Sequence, residues 1–496
     1  MRRTILFLLC CYLPAVAASS FTQPQLADFA RHSTLRFNVL TNQLAEPMRF
    51  DAAIVLHNGS DIALPRGQQD WQLYFHLIRR IDTVELQGLA IEHVQGDLHR
   101  IRPTARFNGL APAQQLILPF SSAPWMVSYS DFMPRAFIVA GTLQPEIFAN
   151  TNTEDFSGFV LPLQTPAQLQ RNFGSADQVA IADAASRFEH NAEMLQGIKD
   201  TDSSKRIIPT PLQAEFGKRH VMLSADWQLQ FSGRLTNEAG FLQQQLQQFG
   251  LTLAESSNTE SSNTDLRKQP TLRLAVDADL AVGSEGYQLS IRDHSINILG
   301  KDNAGVFYAI QSLLALAQPE QEKLQLPQTE ITDQPRAAWR GMHYDMARNF
   351  HGKAVTLRLI DHMARYKLNK LHLHLTEDEG WRLEIPGLPE LTDIGAKRCF
   401  DLTEQHCLLT QLGTGPHASG AGNGYYSTAD FIEILQYAAA RHIEVIPEID
   451  LPGHARAAII AMNARYNRLM AAGQPEAARQ YLLSDPDDSS QYLSVQ

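Results

Sequence analysis

Cysteine is scarce. The 496-residue sequence holds four, too few for a disulfide-scaffolded chain. Positive charge is also in deficit, with 42 Lys+Arg against 53 Asp+Glu and a formal charge of −11. A net-negative surface repels phosphate backbones, which excludes nucleic-acid binding as the expected role. The apolar run Ile5–Leu13 is too short to span a bilayer, and no later stretch is longer, so no transmembrane segment is expected. What is present is globular: 44% hydrophobic and 19% charged residues exclude a wholly disordered chain. The length implies two to four domains.

The short apolar run has another use. Arg2 and Arg3 precede it, and Pro14 with Ala15-Val-Ala17 follows. That is the layout of a secretory signal peptide, residues 1–17, and it predicts export to the periplasm or the medium. Cleavage removes Cys10 and Cys11 and leaves Cys399 and Cys407. In an oxidising compartment these are expected to pair, two free thiols being the alternative. Two cysteines alone make no zinc site.

From residue 25 to 189 the pattern is β-rich. In Trp71-Gln-Leu-Tyr-Phe-His-Leu77 alternate residues share a face, as in a half-buried strand. Trp125, Val127 and Tyr129 repeat the alternation, and Pro65-Arg-Gly67 and Asn108-Gly109 read as turns. The reading is a β-sandwich whose tryptophans pack in the core, a sugar-stacking surface being the alternative. The polar stretch Asp200–Lys205 reads as a linker. A small α+β domain follows over 207–334, with helices predicted over 241–250 and 305–316 and a strand over 272–276. Within it the tandem Glu255-Ser-Ser-Asn-Thr259 and Glu260-Ser-Ser-Asn-Thr264 reads as an exposed loop.

From Arg336 the rhythm becomes β–α. Strands are predicted at 341–345, 370–375 and 443–449, and helices at 354–366, 428–442 (capped by Ser427 or Thr428) and 455–470. Three successive units imply parallel strands with helical crossovers, with polar residues at the strands' C-terminal ends. A (β/α)8 TIM barrel needs eight units and about 250 residues, whereas residues 336–496 number 161. The expectation is therefore a partial barrel, with the rest lying beyond Gln496.

Three constellations sit at these strand ends. In Asp345-Met-Ala-Arg348 the arginine's planar fork can take vicinal hydroxyls or a carboxylate, or pair structurally with Asp345. In Leu371-His-Leu-His-Leu-Thr-Glu-Asp-Glu-Gly-Trp381, His372 and His374 share a strand face. A metal pair is one reading, but two hydrogen-bonded barrel histidines are the preferred one. Glu377, Asp378 and Glu379 stand at the mouth, and Trp381 stacks on a ligand or on the core. In Asp450-Leu-Pro-Gly-His454 a carboxylate and an imidazole are expected near each other, either to tune a catalytic acid or as a self-satisfied structural turn.

In this order Arg340-Gly341, Asp345-x-x-Arg348, His372-x-His374-Leu375 with Asp378 and Gly380-Trp381, Tyr425-Tyr426, and Asp450-Leu-Pro-Gly-His454 resemble glycoside hydrolase family 20, in its bacterial chitobiase-type branch of β-N-acetylhexosaminidases. Trp71-Gln-Leu-Tyr-Phe75, Gly96-Asp-Leu-His-Arg100, Trp125–Phe132 and Ile207-Ile-Pro-Thr-Pro211 extend the likeness upstream. The resemblance implies an N-terminal sandwich, an α+β domain, and a catalytic barrel over 336–496. It implies a Cys399–Cys407 loop disulfide and no cofactor or metal. It implies removal of terminal non-reducing N-acetylglucosamine from chitin oligosaccharides by retaining, substrate-assisted hydrolysis, in which the sugar's own acetamido oxygen is the nucleophile. Arg348 would hold the sugar hydroxyls, and Asp450 and His454 would line the substrate site with it and support the acid. The chain departs from the family in two ways. The Asp–Glu acid pair of the His-x-Gly-Gly-Asp-Glu motif is absent, Ser284-Glu285 being no substitute, and is expected beyond Gln496. Glu377 stands where the family usually has Asp. This chain by itself is therefore expected to be inactive, a non-enzymatic chitin-binding protein and a metal-dependent barrel hydrolase being the alternatives.

Overall fold

The computed structural model describes residues 21–482 apart from 47, 176, 178–180, 183, 197–205 and 257–268. The predicted signal peptide, the 200–205 linker, most of the tandem repeat and the last fourteen residues lie outside the described residues. The chain divides into two compact units, Met1–Phe188 with Lys397–Asn423 and Glu189–Ala396 with Gly424–Gln496.

In the first unit the helix Gln23–His32 precedes two antiparallel sheets. Thr34–Thr41, Phe50–His57 and Gln115–Ser122 form one. The other runs in the order Val84–Leu86, Leu89–Gln95, Leu98–Pro103, Trp71–His76, Phe137–Ala140, Glu146–Ile147. Phe37, Phe50, Trp71, Leu73, Phe75 and Phe132 fill the space between them. Alternation predicts one wet face for Trp71–Leu77, yet Tyr74 and His76 are also buried. The reason is a distant piece of chain: Phe400 and Leu409 pack on Tyr74, Phe137 and Val139. Asp97 accepts from Leu412 N–H (2.8 Å) and contacts His76 Nδ1 (3.2 Å). The Cys399–Cys407 disulfide is formed within this segment, with the two Cα atoms 5.8 Å apart.

The strand expected around Trp125–Tyr129 is not there. Residues 123–128 run as bends and coil into a short 3-10 turn, Tyr129–Asp131. Asp131 accepts from Val127 N–H (2.9 Å) and Arg79 (3.2 Å), so the segment is held by side-chain bonds rather than a ladder. Trp71 is core, as read, while Trp125 packs edge-on against the exposed Phe173.

In the second unit a mixed sheet carries the helices Thr236–Gln247 and Asn303–Leu316. The first starts five residues ahead of its apolar periodicity. Its opening turn is anchored by a polar group, Glu238, which is buried and bonded to His442 (2.8 Å).

Residues 336–482 supply the β–α units. We label them β1 (Gly341–Asp345), α1 (Lys353–Arg365), β2 (Lys370–His374), α2 (Thr428–Ala439), β3 (Glu444–Glu448) and α3 (Arg456–Ala471). The strands are parallel, in the order β1-β2-β3. Leu371, Leu373 and Leu375 bury into a core with Ile360, Met363, Ile434 and Ala438. Period-2 alternation then turns His372 and His374 to the opposite face. The register sets Asp345, His374 and Glu448 side by side there. The architecture is thus a sandwich, a small α+β domain and a partial mixed sheet consistent with an incomplete (β/α)8 barrel.

Candidate active site

Just past the ends of β1, β2 and β3 the chain gathers Asp345, Arg348, His374, Glu377–Glu379, Asp450 and His454. Arg348 is half-exposed and its guanidinium bonds to both Asp345 and Glu377. Its backbone N–H donates to Asp345 Oδ1 at 3.1 Å, which closes the turn after β1.

Three consecutive acids do three different things. Glu377 is 2% exposed. Besides Arg348 it contacts His454 Nδ1 at 2.7 Å and His374 Nε2 at 3.3 Å. Asp378 accepts from Arg456 N–H at 3.0 Å, an acid on the positive end of α3. Glu379 is held above the usual carboxylate range, first by burial and then by the Glu377 charge beside it.

His454 sits at φ 54° after the turn that follows β3. Its imidazole is pushed above its ordinary pKa of 6.5 by the hydrogen bond to Glu377 and that carboxylate's charge. Asp450 hydrogen-bonds to Glu448 rather than to His454. It is raised by burial and by a hydrogen bond shared with Glu448, while its N–H donates to Thr376 Oγ1 at 3.0 Å. Glu448 is lowered: burial opposes this, but bonds from His374 and Asp450 outweigh it.

His374 Nδ1 lies 3.0 Å from Glu448 Oε1, and His372 Nε2 lies 2.6 Å from Glu448 Oε2. His343, His374 and Glu448 could offer three ligand atoms within 4.8 Å of one another. The His372–His374 pair singled out by the sequence is not that group. His374 lies between two carboxylates, the arrangement of a hydrogen-bonded barrel histidine. Trp381 is 8% exposed and donates its indole N–H to Leu383 O, so it belongs to the core. Tyr426 is buried, with its hydroxyl on Thr356, whereas Tyr425 is partly exposed.

Sequence reasoning missed Arg382, which is fully buried and bonded to the carbonyls of Ala347, Ala396 and Gly424. Its signal was a lone arginine inside an otherwise apolar stretch, Trp381 to Leu383.

The described residues thus join a sandwich, an α+β domain and parallel βα units whose strand ends carry arginine, imidazole and paired carboxylates. Comparison with known families makes this specific. Residues 338–493 match the glycosyl hydrolase family 20 catalytic domain, 204–334 match that family's domain 2, and 38–185 match a putative carbohydrate-binding domain. The chain belongs to glycosyl hydrolase family 20. It is 43% identical over 431 residues to N,N'-diacetylchitobiase of Vibrio harveyi, covering 86% of this chain and 46% of that one. It is 39% identical over 452 residues to β-hexosaminidase B of Pseudoalteromonas piscicida, covering 87% and 54% respectively. Among solved structures it is similar to the GH20 exo-β-N-acetylglucosaminidase of Vibrio harveyi in complex with N-acetylglucosamine. That match has a TM-score of 0.66 at 26% identity and covers 87% of this chain and 59% of that one. The chain spans about half the length of the curated relatives it matches.

Proposed function

We propose that the full-length protein is an exported β-N-acetylhexosaminidase that removes terminal non-reducing N-acetylglucosamine from chitin oligosaccharides, and that this chain alone does not turn over. The carrying observation is Arg348: a half-exposed guanidinium at a β-strand's C-terminal end, paired with Asp345 and Glu377. A planar guanidinium fork at a strand's mouth matches the spacing of vicinal sugar hydroxyls. Glu377, His454, Glu448 and Asp450 form a linked set of charges beside it, fit to bias the protonation of a neighbouring acid. The reaction needs a proton donor and a group to orient the acetamido oxygen. In the family these are an Asp–Glu pair, and its His-x-Gly-Gly-Asp-Glu motif does not occur in the 496 residues. This chain thus supplies the sugar-holding wall. Export to the periplasm or medium is the proposed location, on the strength of Arg2, Arg3, Ile5–Leu13 and Ala15–Ala17.

The test is calorimetry with N-acetylglucosamine beside an assay on diacetylchitobiose. The chain should bind the monosaccharide, lose binding in Arg348→Ala, and show no turnover. Turnover at ordinary enzyme rates that survives EDTA would place the proton donor within these residues. Turnover abolished by EDTA and restored by zinc would favour a metal centre on His343, His374 and Glu448.

A further inference from the structure

Arg382 is fully buried, deeper than any group considered for sugar contact. Its guanidinium reaches three separate stretches of backbone. Nε (3.0 Å) and Nη2 (2.8 Å) donate to Ala347 O, and Nη1 donates to Ala396 O (3.0 Å) and Gly424 O (3.0 Å). Its own backbone is fixed at both ends. Arg382 N–H donates to Leu375 O, and Tyr426 N–H donates to Arg382 O, each at 2.9 Å. The space it fills is made for it. A Cβ on Gly380 would stand 2.3 Å from Nη2 and 2.6 Å from Ala347 O. A buried cation is tolerated where its donors are satisfied, and a flat five-donor fork can join carbonyls on three segments where a point-like ammonium cannot.

The target of two of these bonds matters. Ala347 O belongs to the peptide unit whose other end is the N–H of Arg348. A peptide unit is planar, so holding both ends fixes the whole plane. Arg382 holds the oxygen, and Asp345 Oδ1 holds the N–H at 3.1 Å. That plane fixes the Arg348 N–Cα bond, the axis from which its side chain departs. Ala396 and Gly424, bridged directly by Gly424 N–H to Ala396 O at 3.1 Å, are the residues between which the 397–423 excursion leaves and returns.

We propose that Arg382 is a positioning residue. It aims Arg348 by clamping the Ala347–Arg348 peptide, and it ties that peptide to the two chain ends at the base of the excursion. The proposal rests on the reading of Arg348 as the sugar-holding group only where its effect on sugar binding is concerned.

The experiment uses the full chain labelled with 15N-arginine. The Arg348 Nε–Hε cross-peak is assigned by its loss in Arg348→Lys. In Arg382→Lys this peak should shift, while that of the solvent-side Arg292, paired with Glu330, stays in place. An unmoved Arg348 peak in a folded Arg382→Lys chain overturns the proposal. Should Arg382→Lys fail to fold by circular dichroism, Gly380→Ala keeps the guanidinium and displaces it, and the same two peaks decide. A separate arm adds N-acetylglucosamine. If the sugar leaves the wild-type Arg348 peak unmoved, the sugar-holding reading fails, while the ligand-free shift still decides the positioning role. If the sugar binds, Arg382→Lys should weaken it about tenfold, and by nothing further in an Arg348→Ala background. Equal losses in both backgrounds would mean that Arg382 does not act through Arg348.

Discussion

An arginine and two imidazoles converge on the Glu377 carboxylate, and the pH response of the site follows from that convergence. His454 is raised above 6.5 by Glu377. Its charge pairing is fully present below the ordinary value and is lost as pH climbs through the raised one. An NMR titration of the His454 ring should give a midpoint above 6.5. Glu377→Gln should bring it back toward that value, and a midpoint unaffected by the substitution would refute the pairing. Arg348, Asp450 and His454 were legible in the sequence because residues after strand ends are exposed to the mouth of a barrel. Which of them touch was not. Asp450 and His454 are four positions apart, yet Asp450 bonds to Glu448, two residues before it, and His454 to Glu377 from the loop after β2. Tertiary placement, unlike spacing, decides such pairs. Arg382 escaped notice because every hydrogen bond of its guanidinium described above ends on backbone carbonyls, which leave no pattern in side-chain sequence.

The elements β1 to α3 were legible to within three residues, since a period of 3.6 or 2 in apolar residues is what buries a face, whereas short pieces such as Glu390–Asp393 lie in what reads as one long loop. Helix α2 shows the local part of that specification. Ser427 Oγ accepts from Asp430 N–H (3.1 Å), and Asp430 Oδ2 accepts from Ser427 N–H (3.1 Å), a reciprocal cap. Ser427→Ala should cost about 1 kcal/mol in urea unfolding of the chain. Asp430 is lowered to about 2, first by the hydrogen bond from Lys353 and then by Ser427. Its contribution should hold above the ordinary carboxylate value of 3.8 and vanish as pH falls through about 2. The Trp125–Tyr129 reading failed for the converse reason. Alternation there had no partner strand, and the carboxylate of Asp131 bonded the backbone into a turn instead.

Over the whole molecule, the three-part architecture was legible from the change of rhythm near Arg336, but the membership of residues 397–423 was not. They are numbered within the barrel sequence and pack with the sandwich. Leu409 is 3% exposed against Tyr74 and Phe137. Leu409→Ala should destabilise that unit by about 3 kcal/mol and open the segment to proteases; unchanged cleavage between 400 and 420 would contradict the packing. The same unit should be acid-labile. Burial holds His99 down at about 4, so the unfolded chain binds more protons below 6.5, and stability drains as pH falls from 6.5 toward 4. Replacing His99 by Gln should flatten that limb of a melting-temperature profile.

The covering of Tyr74 and Phe137 by Phe400 and Leu409 bears on how the sandwich can be dissected. A fragment cut after residue 188 would discard its own lid and bare a sticky aromatic plate. Such a plate would adsorb to powdered chitin, to plastic and to itself. Retention of that fragment on a chitin column would then report the scissors, and a fair trial of glycan affinity must keep the lid attached.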